Sequence, residues 1–372
     1  MRRAHPYARP KLDRPSALGH SPGRVKVCIL EKPGAITVAE RPVPTPGPGD
    51  LLVRVRAALT CGTDLKAYRR GHPKMPCPTP FGHEFSGEVA AVGRDVARFR
   101  VGDAVMSANT GPCGRCFHCT HDEENLCDSI TDEMILGAYA EYVLVPARVE
   151  RANVYRKPET LAFEQAALLE PLSSVCFGLT HLPATASRDD ATVLVIGAGP
   201  VALLWLLALK ATGTARVVVA GRRASKLATA QALGADEAMG EGDDVLDRVR
   251  AQTGGRGADA VIECTGTPEV WQKAPSYARR GGTVVLFGGC PPGTSVTLDT
   301  YAMHYDGVRV ASPFHFRPRD VAEAFRLLGR RDLGWDKLIT SRAGLDDVPA
   351  VFERLGDGRE IKCAIVPEAA DR

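Results

Sequence analysis

The pattern of apolar and polar positions changes character about halfway along the chain. From about residue 25 to residue 145, short runs of β-type residues alternate with turns rich in glycine and proline. Runs at 25–30, 51–57, 88–92, 104–106 and 140–145 predict short strands. Many short strands between such turns predict a β-rich, barrel-like domain. From about residue 192 the pattern becomes strand, helix, strand. Residues 193–196 read as a buried strand, 201–212 as a helix, 217–220 as a strand, and 225–233 as a helix that Gly234 ends. Further strands are predicted at 259–263 and 283–287. This alternation predicts an α/β architecture, a parallel sheet wrapped by helices. Beyond about residue 312, a helix at 318–328 and a strand at 363–366 are too little for a third domain and are expected to complete the first.

Size and charge refine this picture only slightly. A chain of 372 residues exceeds what one core usually spans, which favours two domains. The formal net charge of +3 gives no reason to expect a nucleic-acid or membrane partner. The longest apolar run, 193–209, is interrupted by Gly197, Gly199 and Pro200, so no membrane span is expected. Residues 1–24 carry Arg2, Arg3, Arg9, Lys11 and Arg14 and lack the apolar core of a secretory signal. They read as a disordered extension.

The cysteines change the picture more. Four of the 11 lie within fifteen residues: Cys113, Cys116, Cys119 and Cys127, spaced CxxCxxCx7C. In a cytoplasmic chain, the compartment expected here, thiols stay reduced and a tight cluster reads as a metal site. Four thiolates close tetrahedrally on zinc and leave no open position, so the site is expected to be structural. His118 and His121 lie among them, but four sulfurs already fill the shell. Cys28, Cys77, Cys176, Cys264, Cys290 and Cys363 read as packing residues.

The run Val193-Leu-Val-Ile-Gly197-Ala-Gly199-Pro200-Val201-Ala202 is a strand, a glycine turn and a helix start. In that context it reads as a dinucleotide site. Gly197 permits the tight turn, and Gly199 lets a pyrophosphate approach the helix N-terminus. Pro200 and Val201 open the helix, and Ala202 is small enough for close packing. NAD-users usually end the second strand with an acid that binds the ribose 2′-hydroxyl. Here the strand ends Ala220-Gly221-Arg222-Arg223. Guanidinium groups bind a 2′-phosphate that a carboxylate would repel, so NADP(H) is expected. Thr265, just past the strand at 259–263, is counted with the cofactor-binding positions.

A second candidate metal set is dispersed: Cys61 in Thr60-Cys-Gly-Thr63-Asp64, then Gly82-His83-Glu84. A catalytic zinc needs about three protein ligands and one open position. On spacing alone a lone cysteine and a lone histidine are weak signals.

Taken together, these motifs resemble the zinc-containing medium-chain dehydrogenase/reductase family, specifically its sorbitol and threonine dehydrogenase branch. The resemblance rests on Cys61-Gly-Thr-Asp64, Phe81-Gly-His-Glu-Phe-Ser-Gly-Glu-Val89, Val101-Gly-Asp-Ala-Val105, the four-cysteine lobe, Glu170-Pro171-Leu172 and the Gly197 turn. It spans roughly residues 25 to 366, with the motifs in the family's order. It implies a GroES-like catalytic domain at 25–185 and 314–372, with the zinc lobe at 111–128, and a Rossmann domain at 186–313, the active site lying between the two. It further implies two zinc ions per chain, and a homodimer or homotetramer. Cys61 and His83 would hold the catalytic zinc, Glu84 would be a ligand or an immediate neighbour, and Glu170 would bind directly or through water. Thr63 would pass the substrate proton outward, and Asp64 would orient the loop. The family often places a histidine at the position of Lys66, and this chain departs from it there. The activity implied is hydride transfer between NADP(H) and a polyol, cyclitol or other secondary alcohol or ketone. Other readings are a threonine-type amino-alcohol dehydrogenase using NAD, a zinc-free quinone or enoyl reductase, and a non-catalytic NADPH-binding redox sensor. Zinc-free reductases lack the four-cysteine lobe and the Cys61/His83 pair, and a non-catalytic sensor conflicts with a complete open zinc site.

Overall fold

The computed structural model describes residues 23–240, 242, 244–358 and 360–367. The reading of residues 1–24 as an extension therefore falls, apart from Gly23 and Arg24, outside the described residues. The chain divides into two compact units. One runs to Glu170 and takes in Arg317–Phe325 and the chain from Ile339. The other is Pro171–Phe316 with Arg326–Leu338.

The first unit is built on a seven-stranded mixed sheet. Its order is Ile339–Ala343, Lys362–Ile365, Leu51–Leu59, Glu84–Val92, Ala104–Ser107 and Val154–Arg156, with Tyr142–Val145 also paired to Leu51–Leu59. A smaller sheet joins Ala35–Pro42, Arg24–Lys32 and Thr79–Pro80. Apolar side chains from both, among them Leu30, Val53, Phe81, Phe85, Tyr139 and Phe352, form one core. The register of the central strands positions the chemistry. Leu59 pairs with Glu84 and Ala58 with Phe85, so Thr60 and Cys61 leave the sheet beside His83. On the other side Ala364 pairs with Leu59, which brings Lys362 to the same end.

The second unit is a six-stranded parallel sheet, ordered Glu237–Gly240, Arg216–Gly221, Thr192–Ile196, Ala258–Glu263, Ala278–Leu286 and Arg309–Ala311. Numbered within the unit, this is the order 3-2-1-4-5-6 of a dinucleotide-binding fold. Leu194, Ile196, Val218, Val261 and Val284 fill one face of it. The α/β fold expected from the sequence, a GroES-like mixed-sheet domain and a Rossmann domain, is the fold observed.

Several elements lie outside the sequence expectation. The strand expected at 88–92 begins at Glu84, because Glu84, Ser86 and Gly87 break the apolar run although Glu84 and Ser86 are fully buried. Ala35–Pro42 is an edge strand with no fully buried residue, so it has no apolar face to read. The helix Leu169–Leu179 is apolar nearly all round and shows no 3.6-residue period. Among the described residues, no helix is long and apolar enough to cross a membrane.

Candidate zinc and dinucleotide sites

The four-cysteine lobe is held by two short 3₁₀ turns, His118–His121 and Glu124–Leu126. The sulfurs of Cys113, Cys116, Cys119 and Cys127 all lie within 4.8 Å of one another, and Cys113 and Cys119 are 3.9 Å apart. Zinc–sulfur bonds of about 2.3 Å in a tetrahedron require sulfurs about 3.8 Å apart, so the cage fits the ion. Its surroundings favour thiolates. The backbone N–H groups of Arg115 and Cys116 hold the Cys113 thiol down to about 6. The Cys113 N–H donates to Cys127 Sγ at 3.3 Å, and Arg148 Nη2 reaches the same sulfur at 3.7 Å. Burial pushes Cys119 up to about 12, an effect that a bound cation reverses. His118 and His121 lie outside the cage. His118 Nδ1 is 2.9 Å from Glu123, and His121 stacks on Phe117.

The dispersed residues come together as well. Sγ of Cys61, a ring nitrogen of His83 and a carboxylate oxygen of Glu84 lie within 4.8 Å of one another. Cys61 caps the helix Gly62–Arg70 and accepts the Thr63 N–H at 3.4 Å, which sets Thr63 beside it. His83 Nδ1 sits 2.9 Å from Asp64 Oδ1, which leaves Nε2 as the nitrogen available to a metal. Asp64 is fully buried, and its second oxygen accepts the Tyr139 hydroxyl at 2.6 Å. Gly82, with φ +88°, lies flat on the Tyr139 ring; a Cβ there would come within 2.8 Å of it. A thiol, an imidazole and a carboxylate form the borderline-soft donor set that zinc takes.

Glu84 has two different oxygens. Oε2 accepts from Lys362 Nζ, while Oε1 is buried with no hydrogen-bond partner among the described residues. Such an atom fits an ion better than a closed structural pair. Glu170 is also buried but lies outside the three-residue cluster. Burial pushes its carboxyl up to about 7, with His83 opposing that and Glu84 adding to it. Burial works against the Lys362 ammonium, but Glu84, Cys61 and Glu170 together hold it above the ordinary lysine value. Lys66, at the position where the family often has histidine, is half-buried on the same helix as Thr63. Neither Lys362 nor Tyr139 stood out in the sequence.

In the second unit, Gly197 has φ +111°, and its N–H donates to Ala220 O at 2.7 Å, one step beyond the pairing of Ile196 with Ala220, so the turn starts from the end of the first strand. A Cβ on Gly197 would lie 3.5 Å from Cys264 and Thr265. Gly199 caps the helix Pro200–Ala211, with Pro200 and Val201 as its first two residues. Thr265 is fixed by Glu263, whose Oε1 accepts its N–H at 2.5 Å and that of Gly266 at 3.1 Å. Arg222 and Arg223 are exposed at the end of the strand Arg216–Gly221, and Arg223 caps the helix Ala224–Ala232. Lys226 lies near Arg223, and burial, with that guanidinium adding to it, pulls its ammonium below its ordinary value.

Residues 47–158 match the alcohol dehydrogenase GroES-like domain, and residues 200–330 match the zinc-binding dehydrogenase domain. The chain is 33% identical to the L-threonine 3-dehydrogenase of Symbiobacterium thermophilum over 90% of its length and 95% of that protein's. It is 31% identical to the sorbitol dehydrogenase of Bacillus subtilis over 72% of its length and 76% of that protein's. A solved chain from Sinorhizobium meliloti 1021, assigned as a zinc-binding dehydrogenase and bound to NADP, superposes with a TM-score of 0.83 at 30% identity. That match covers 93% of this chain and 100% of the other. The chain belongs to the zinc-containing medium-chain dehydrogenases, which use zinc and a nicotinamide cofactor to act on CH–OH groups.

Proposed function

We propose that this protein is an NADP(H)-dependent zinc dehydrogenase that interconverts a polyol, cyclitol or other secondary alcohol with its ketone. The observation that carries the cofactor reading is the end of the strand Arg216–Gly221, where Arg222 and Arg223 follow and no acid stands. In this reading Gly197, Gly199, Pro200, Val201 and Thr265 shape the pyrophosphate and nicotinamide side, and Arg222 and Arg223 bind the 2′-phosphate. Cys113, Cys116, Cys119 and Cys127 hold a structural zinc, and Cys61, His83 and Glu84 hold the catalytic one. Glu170 serves it directly or through water. The eleven cysteines fit a reducing, cytoplasmic compartment, and we expect a homodimer or homotetramer.

When bound, the catalytic zinc supplies a Lewis acid that steadies negative charge developing on the substrate oxygen. The chain's own residues do the rest. Thr63, set beside Cys61 by its N–H bond to that sulfur, takes the substrate hydroxyl proton and passes it outward. Asp64 lies 2.9 Å from His83 Nδ1, a carboxylate beside the ring nitrogen that faces away from the metal. The glycine turn fixes the dinucleotide so that hydride leaves the substrate carbon along one path.

The test is the ratio of kcat/KM with NADP to that with NAD, over polyols, cyclitols, amino alcohols and simple secondary alcohols. We expect a ratio well above one. A clear preference for NAD sinks the cofactor reading. A preference for threonine moves the substrate to the amino-alcohol reading.

A further inference from the structure

The Arg148 guanidinium is nearly buried, and Glu133 is a loose partner for it. The arginine side chain is 11% exposed, and the half-exposed Glu133 carboxylate stands 4.0 Å from its Nε. That nitrogen is buried with no hydrogen-bond partner among the described residues. The other end of the guanidinium is engaged. Nη1 donates to the Ser129 carbonyl at 3.0 Å, and Nη2 donates to Ser129 Oγ at 3.2 Å and to Cys127 Sγ at 3.7 Å. A buried cation needs an anion close by to offset its desolvation, and Cys127, as a thiolate, is that anion.

The arginine reaches the cysteines from a fixed post. It belongs to the helix Ala147–Asn153, in which the Ala147 N–H donates to Asp50 Oδ1 at 2.8 Å and Val149 is fully buried in the core of the first unit. The same helix meets the start of the lobe. Gly111, two residues before Cys113, lies flat on Arg148; a Cβ there would fall 2.4 Å from the Arg148 carbonyl oxygen. The Cys113 N–H in turn donates to Cys127 Sγ at 3.3 Å. One residue from outside the lobe therefore meets the segment before the first ligand with its backbone and the last ligand with its side chain.

We infer that Arg148 is a positioning residue for the metal at the four cysteines: its guanidinium offsets negative charge at Cys127 and holds that sulfur in the cage. The inference rests on the reading of Cys113, Cys116, Cys119 and Cys127 as a zinc site. Loading the cage turns thiols into thiolates and so adds negative charge, and a cation beside Cys127 favours the loaded state. A charged donor also steadies the sulfur lone pairs. Without the guanidinium, the repulsion among four thiolates is less compensated, and the ion leaves sooner.

The experiment uses the full-length protein loaded with zinc or cobalt(II): wild type, Arg148→Met and Arg148→Lys. The readouts are metal count, the rate of metal release to a chelator, and the sulfur-to-cobalt charge-transfer bands in the near ultraviolet. Cys61 contributes the same bands to every variant, so difference spectra report the cage. In Arg148→Met we expect one ion per chain to leave about tenfold faster or more. The charge-transfer bands move to lower energy, because the sulfur gives up its electrons more easily. The ion at Cys61 and His83 leaves at its wild-type rate. Arg148→Lys keeps the charge and brings release back to within a few-fold of wild type; a lysine variant as fast as Arg148→Met overturns the inference.

Arg148→Met could instead fail to fold. Arg148→Gln, which keeps a donor without the charge, then takes its place. Faster release from it than from Arg148→Lys supports the inference, and equal release overturns it. Arg148 variants that lose thermal stability but keep wild-type bands and release rates make the arginine a plain packing residue and overturn the inference, while the zinc reading survives. A wild type whose four cysteines are alkylated as fast with zinc present as with chelator holds no metal there, and overturns both.

Discussion

Asp64 shows how much a single buried carboxylate organises. One oxygen faces His83 Nδ1 at 2.9 Å, and the other accepts the Tyr139 hydroxyl at 2.6 Å. Tyr139→Phe leaves that oxygen buried without its donor. The expected cost is about 1–3 kcal/mol of folding stability, read by denaturant unfolding, with faster loss of one of the two zinc ions to a chelator. Unchanged stability together with unchanged zinc release would mean that Tyr139 only fills space. Arg223 carries a prediction of a different kind. Arg223→Ala removes a charged partner from the proposed 2′-phosphate corner, so KM for NADP should rise about tenfold or more while KM for NAD barely moves. Steady-state kinetics with both cofactors would read it, and equal changes in the two KM values would contradict the assignment. At this scale the sequence was only partly legible. Cys61, His83 and Glu84 sit in motifs and could be named from resemblance. Tyr139 and Lys362 could not, because what gives them meaning is a partner 75 or 278 residues away. No local pattern encodes that distance.

Between elements, register does the work. Leu59 opposite Glu84, and Ala364 opposite Leu59, put three strand ends at one place. Shifting either pairing by one residue would turn Glu84 or Lys362 to the other face of the sheet. The alternating β/α half was readable because its strands are continuous apolar runs and its turns carry glycine. The mixed sheet was harder: Glu84–Val92 opens on polar residues that are buried for chemistry rather than exposed to water. Helix packing in the second unit offers a test. Gly178, on the helix Leu169–Leu179, lies against the Trp205 ring of Pro200–Ala211; a Cβ there would fall 2.3 Å from the ring. Trp205 is fully buried and also meets Phe287 edge-on, so the ring has nowhere cheap to go. Gly178→Ala should cost about 1–3 kcal/mol in denaturant unfolding. A cost near zero would show that this helix pair can slide apart.

Over the whole chain, the candidate metal ligands and the glycine turn belong to different compact units. Cys61, His83, Glu84, Glu170 and the four cysteines all lie in the first; Gly197, Gly199, Thr265, Arg222 and Arg223 all lie in the second. Each unit has its own core, so the contacts that would hold a dinucleotide do not depend on the groups that would hold zinc. Damage to one function should therefore leave the other measurable. His83→Ala removes a ligand but no part of the parallel sheet. It should abolish turnover and reduce bound zinc from two ions per chain to one, while NADPH still binds with an affinity within a few-fold of wild type, as read by nicotinamide fluorescence. Cys119→Ser should also lower the zinc count by one, but through the structural cage. Its first symptom should be a lower unfolding temperature rather than a lost chemical step. The two variants have the same metal stoichiometry and opposite phenotypes, and that contrast separates a catalytic ion from a structural one. If His83→Ala kept near-normal turnover, the metal at Cys61 and His83 would have no part in the reaction. If Cys119→Ser lost turnover at full thermal stability, the assignment of the two sites would have to be exchanged.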